Sequence, residues 1–123
     1  MGWHGLSDAE YDLMQLFWDK NEVQTLNDVI AHMQTLGHTW KQQTAHTVLS
    51  KLITKGVLHS EKKGFRKYYS RQLSREEYLS QWTRGVVERD YGGSLTGFLT
   101  AFTGGKSLTK EEAEELHKFL DQQ

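Results

Sequence analysis

Apolar positions early in the chain recur every three or four residues, the spacing of helices with one buried stripe. Tyr11, Leu13, Leu16 and Phe17, with Trp18 following, predict a first helix from about Ser7 to Asp19, and Ser7 with Glu10 has the spacing of a capping box. DKNE at 19–22 breaks the pattern and reads as a turn. Leu26, Val29, Ile30 and Met33 predict a second helix from Leu26 to Leu36, opened by Thr25 with Asp28 and closed by a left-handed Gly37. WKQQTAHTVLSKLITKG, residues 40–56, reads as a third. Its stripe is Ala45, Val48, Leu49, Leu52 and Ile53, Thr39 with Gln42 offers a cap, and Gly56 ends it at Lys55.

The period then changes. VLHSEKKGFRKYYSRQL, residues 57–73, holds two short extended runs around KKGFR. Leu58, Tyr69 and Leu73 can face inward, and Gly64 sits where a tight turn needs a positive φ, so the segment predicts a β-hairpin with a basic tip. Three helices followed by such a hairpin form a winged helix-turn-helix, expected over residues 6–73. Residues 74–123 return to helical spacing, with caps at Ser74/Glu77 and Thr109/Glu112 and breaks at Gly92–Gly93 and Gly104–Gly105. Their apolar side holds Tyr78, Trp82, Val86, Leu95, Phe98, Leu99, Phe102, Ala113, Leu116, Phe119 and Leu120. Three short helices cannot bury that surface alone, and a second copy of the chain is the economical cover. The expected fold class is mainly α with a small β-hairpin wing, a winged helix-turn-helix domain followed by a helical dimerisation region. The interface is assigned to Trp82, Val86, Leu95, Phe98, Leu99, Phe102, Leu116, Phe119 and Leu120.

Charge sharpens the picture. The whole chain is near neutral, at −1, but residues 41–71 carry eight bases against the single acid Glu61. A local basic block on a neutral protein suits a specific polyanion. The first two turns of the third helix carry Gln42, Gln43, Thr44, His46 and Thr47, with no acid among them. Glutamine can pair with adenine N6 and N7, threonine can meet a base, a phosphate or a thymine methyl, and histidine can donate to guanine. These five residues are the expected base contacts. Lys41, Lys51, Lys62, Lys63, Arg66 and Lys67 are the expected phosphate contacts, where charge supplies affinity without sequence information. The alternative is a winged helix that contacts protein and reads no DNA.

Other chemistry has little support. With no cysteine, disulfides, thiolate metal sites and cysteine catalysis are excluded, and a reducing compartment is expected. No apolar run reaches membrane-spanning length and no secretory signal is read, so the expected location is the cytoplasm, and DNA binding would place the chain at the nucleoid. Met1–Gly5 reads as a disordered start or a foreign remnant. The six histidines His4, His32, His38, His46, His59 and His117 are scattered without ligand spacing, so no metal is expected and they read as structural or surface residues. GGK at 104–106 lacks the strand and the remaining glycine of a phosphate loop. No catalytic constellation stands out, and neither enzyme activity nor a cofactor is expected.

The chain resembles the penicillinase-repressor family (BlaI/MecI), which also contains the copper-responsive CopY repressors. The resemblance runs from about Leu6 to Asp121. It is carried by LSDAEYDLMQLFWDK, by Thr44, Thr47, Lys51, Leu52, Lys55 and Gly56 in QQTAHTVLSKLITKGVL, and by YYSRQLSREEY. The resemblance implies a homodimeric bacterial repressor of palindromic operators, in double-stranded DNA, with β-lactam-resistance-type genes as the regulated class. Family members carry more basic residues where Gln43 and His46 stand, so a different operator is implied at those base pairs. The copper branch uses cysteines, which are absent here. The β-lactam branch is released by a sensor protease at an Asn–Phe bond, and the matching position is Ala101–Phe102, where the Phe is present and the Asn is not.

Overall fold

The computed structural model describes residues 2–123. Among them the chain forms α1 (Asp8–Lys20), α2 (Leu26–Thr35), α3 (Gln42–Thr54), β1 (Leu58–Lys63), β2 (Arg66–Arg71), α4 (Arg75–Asp90), α5 (Leu95–Thr103) and α6 (Lys110–Asp121). Ser7/Glu10, Thr25/Asp28, Ser74/Glu77 and Thr109/Glu112 all close as reciprocal boxes. In each, the hydroxyl accepts from the later amide and the carboxylate accepts from the cap amide, satisfying two donors the helix leaves orphaned. Helix α3 departs from expectation. The Thr39–Gln42 cap does not form, because the N-cap is Lys41, which has no side-chain capping bond. Thr39 stands two residues too early to reach the first turn.

Helices α2 and α3 end in the same way. After α3, the Gly56 amide donates to Ile53 at 3.0 Å and the Val57 amide to Leu52 at 3.2 Å, with Gly56 at φ +78. This is a Schellman ending, in which buried Val57 also packs where the chain doubles back. Gly37 and His38 make the equivalent pair of bonds to Gln34 and Met33.

The chain divides into two compact units, residues 1–82 and 83–123. In the first, Leu13, Met14, Leu16, Phe17 and Trp18 of α1 are buried with Val29 and Met33 of α2, Ala45, Leu49 and Leu52 of α3, and Val57, Leu58 and Tyr69 at the root of the hairpin. Strands β1 and β2 pair antiparallel from Leu58↔Arg71 to Lys63↔Arg66. Gln24, in the α1–α2 connection, exchanges both backbone hydrogen bonds with Tyr69, at 2.9 and 2.8 Å, and adds a short third rung beside β2. Strand β2 is therefore paired on both of its edges at the hairpin root. Trp18 Nε1 donates to the Leu73 carbonyl at 3.1 Å, tying α1 to the exit from the wing.

The start of the chain corrects an expectation. From Gly2 onward the segment is ordered, and Met1 lies outside the described residues. Trp3 and Leu6 exchange backbone bonds at 2.7 and 2.9 Å around a tight turn at His4 and Gly5, both with positive φ. Trp3 packs against Tyr11, Trp18 and Tyr78, with the Arg75 guanidinium 5.1 Å from its ring centre. The Tyr78 hydroxyl donates to the His4 carbonyl at 2.6 Å. Gly5 is required here, since a Cβ would stand 2.7 Å from the Trp82 ring. Aromatic burial, contributed by α1 and α4, supplies the order that polar spacing could not reveal.

One charged contact closes the first unit. Glu10 is buried, and its Oε1 accepts from Lys55 Nζ at 2.7 Å and from the Ser7 amide at 2.8 Å, while Lys55 Nζ also donates to the Gly5 carbonyl at 3.0 Å. Burial pushes the Glu10 carboxyl up, but the Lys55 hydrogen bond, the Ser7 amide and the Lys55 charge outweigh it and hold the group below its ordinary value. Because the folded value is depressed, the stabilisation is present above the unfolded value and is lost as pH falls through the folded one. Lys55→Met, which leaves the buried carboxylate without its counter-charge, is expected to cost about 1–2 kcal/mol in urea unfolding at neutral pH, less than a fully buried pair because the lysine side chain is partly exposed. The variant should also lose less stability than wild type on acidification into the glutamate range. Equal acid sensitivity in both would show that this pair does not govern the pH dependence.

Candidate nucleic-acid interface

Burial of Ala45, Leu49 and Leu52 fixes which side of α3 faces outward. Lys41, Gln42, Gln43, Thr44, His46, Thr47 and Lys51 are all exposed. The first turn has no acid, so the positive end of the helix dipole is uncompensated there. The Thr47 hydroxyl donates back to the Gln43 carbonyl at 2.9 Å. Its proton is thus already used, leaving the methyl and an accepting lone pair to face outward.

The hairpin supplies the second part. Lys62, Lys63, Arg66 and Lys67 are exposed along β1 and β2, and Lys67 Nζ lies 5.8 Å from the Tyr69 ring centre. Burial pushes the Tyr69 phenol up, so the ring at the hairpin root is neutral under physiological conditions. Between α3 and the hairpin runs a groove lined by Thr25, Leu26, Asn27, Gln42, His46, Phe65, Arg66, Lys67 and Tyr69. It brings Gln42 and His46 into one concave surface with Arg66 and Lys67. Lys51 lies on a different flank of α3, in a shallow groove with His46, Thr47, Ser50, Thr54 and Lys55.

Three features escaped sequence reasoning. Phe65, at the tip of the hairpin, is 104% exposed. The available signal was an aromatic residue placed among bases at a turn. Within the motif of α3, Leu52 is core and Gly56 is the helix ending, as expected, but the pairing of Lys55 with Glu10 was not foreseen; half of that pattern is architectural. His32 Nε2 lies 2.9 Å from the Asp12 carbonyl and His38 Nε2 lies 3.3 Å from Asp12 Oδ2. Those two histidines brace α1 against the helix-turn-helix. Among the described residues no three potential ligands cluster as a metal site.

In the second unit no residue of α5 or α6 is buried. Leu95, Phe102, Phe119 and Leu120 are 64, 63, 56 and 58% exposed, while Phe98, Leu99 and Leu116 are half-covered. Leu99, Phe102, Leu108, Glu112, Glu115 and Leu116 line an open groove. Ala101 and Phe102 are both exposed, in the last turn of α5. Val86 of α4 is partly exposed, as is Trp82, which meets Gly5 and lies 6.0 Å from the His4 ring. No described helix is long and apolar enough to cross a membrane.

The chain is 30% identical to the penicillinase repressor of Bacillus licheniformis over 95% of this chain and 90% of that one. It is 23% identical to the penicillinase repressor of Staphylococcus aureus over 94% of this chain and 90% of that one. Its structure is similar, with a TM-score of 0.49 and 30% identity, to the solution structure of the Bacillus licheniformis BlaI monomeric form in complex with the blaP half-operator, covering 63% of this chain and 94% of that one. The penicillinase repressor family profile matches residues 6–122, nearly the whole chain, and the protein belongs to that family.

Proposed function

We propose that the exposed face of α3 and the basic hairpin together read one half of a palindromic operator, and that the helices after residue 73 pair two chains across it. The protein is a DNA-binding transcriptional repressor of the penicillinase-repressor type. The observation that carries the assignment of surfaces is the groove shared by Gln42, His46, Arg66 and Lys67. It sets base-reading and phosphate-binding chemistry side by side with no acid lining it. Gln42, Gln43, Thr44, His46 and Thr47 face base edges in the major groove, and Lys41, Lys51, Lys62, Lys63, Arg66 and Lys67 neutralise phosphates. Lys55 has no such role, since its ammonium is committed to Glu10.

The unburied apolar faces of α5 and α6 support a homodimer, with Trp82 and Val86 of α4 assigned to the same interface. Two copies would set the α3 helices in major-groove faces roughly one or two helical turns apart and occlude the promoter. The place of action is the nucleoid, in the cytoplasm. Relief by a sensor protease would fall at Ala101–Phe102. That bond lies inside α5, so the last turn must open before a protease can take it in extended form.

The two contact classes separate experimentally. Thr44→Ala and Thr47→Ala should each cost about 1–3 kcal/mol on the preferred sequence and relax specificity, measured by competition between operator variants. Lys63→Ala and Arg66→Ala should instead weaken all sequences alike and flatten the dependence of log K on log salt. If the threonine variants also flattened that slope, the division between base and phosphate contacts would be wrong.

The pairing surface has its own test. Phe98→Glu should sediment as a monomer with the first unit still folded. An unchanged dimer mass would remove α5 from the interface.

A further inference from the structure

Phe65 is the most exposed large apolar residue of the described chain, and nothing in the fold asks for it. It is the second of two loop residues between the paired Lys63 and Arg66, after Gly64 at φ +64. A two-residue hairpin loop with its positive φ on the first residue needs glycine there and favours a small polar residue next. An aromatic ring adds nothing to such a turn and, left in water, is a liability. Yet this ring stands on a stiff support. The hairpin root is buried at Leu58 and Tyr69 and braced by Gln24, and Phe65 lies four residues from Tyr69, about 13 Å along the strand.

Its surroundings say what it meets. Lys62, Lys63, Arg66 and Lys67 flank it, so a partner at the tip must tolerate concentrated positive charge. Phe65 also lines the groove that Gln42 and His46 border from the other side. On the reading proposed above, α3 occupies a major groove. The phosphate strand bounding that groove then runs through the cleft between α3 and the hairpin. Across a phosphate strand from a major groove there is always a minor groove. The tip carrying Phe65 therefore falls at the minor groove next to the half-site.

We propose that Phe65 is an apolar wedge that enters the minor groove beside the α3 contact and packs against sugars or an unstacked base step, while the flanking lysines and arginine hold the phosphates on either side. Apolar side chains inserted in this way favour steps that unstack easily and reward a bent or widened duplex. Phe65 would then add selectivity at base pairs that α3 never touches. This rests on the DNA-binding reading of the α3 face.

The test uses full-length protein and a short duplex that the wild type selects from a random-sequence pool. Phe65→Ala should bind that duplex more weakly by on the order of tenfold, with the salt slope unchanged. It should also lose protection of the minor-groove sugars flanking the α3 site from hydroxyl radicals. Phe65→Trp should retain both affinity and footprint. Wild-type affinity and footprint in Phe65→Ala would overturn the wedge, as would a flattened salt slope or a changed sedimentation of the DNA-free protein, which would make Phe65 a phosphate-side or protein–protein contact. A wild type that selects no sequence at all would overturn the DNA reading itself, and this proposal with it.

Discussion

The outward chemistry of the first unit depends on the burial of Ala45, Leu49 and Leu52. These residues leave α3 one way to sit, and that orientation turns Gln42, Gln43, Thr44, His46 and Thr47 to solvent together. Three further contacts guard that placement. The Schellman ending stops α3 at Lys55, the Lys55–Glu10 pair ties its C-terminal end to α1, and the Asp12–His38 contact steadies the turn before it. Core residues such as Leu52 therefore fix which side chains α3 presents, because a rotation of α3 by one position would turn a different set outward.

Rigidity is distributed unevenly, in a way that suits the proposed task. The first unit is stapled by its core, by the aromatic cluster around Trp3 and by the ion pair at Glu10. The second has caps on its helices but no buried residue in α5 or α6. Its stability is therefore tied to whatever covers Phe102, Phe119 and Leu120, and a second copy does so without requiring another gene product. With no buried residue in α5, its local opening is expected to cost less than that of α3, whose Ala45, Leu49 and Leu52 are core. A protease attacking Ala101–Phe102 would depend on that difference.

The helices and the wing were legible in the sequence because their signals are local. Capping spacing at Ser7, Thr25, Ser74 and Thr109 and the stripe of α3 each concern residues within a turn or two of one another. The missed features are nonlocal. Trp3 is ordered by Tyr78, which lies 75 residues along the chain, and the partner of Lys55 is Glu10, 45 residues away. Thr39 misled for the opposite reason: its spacing to Gln42 imitates a cap, but the backbone enters α3 only at Lys41. In the candidate site, residue types and exposure could be read from the stripe. The groove that joins α3 to the hairpin, and with it Phe65, needed the tertiary fold.

The most direct test of the central claim is binding of the wild-type chain to the DNA immediately upstream of its own gene, titrated across a salt series with unrelated DNA as the reference. The account predicts tight binding that prefers the upstream DNA, weakens linearly in log–log form as salt rises, and saturates at two chains per site. Binding that is weak, equal on both DNAs and insensitive to salt would contradict it, and would make the winged helix a protein-contacting module instead.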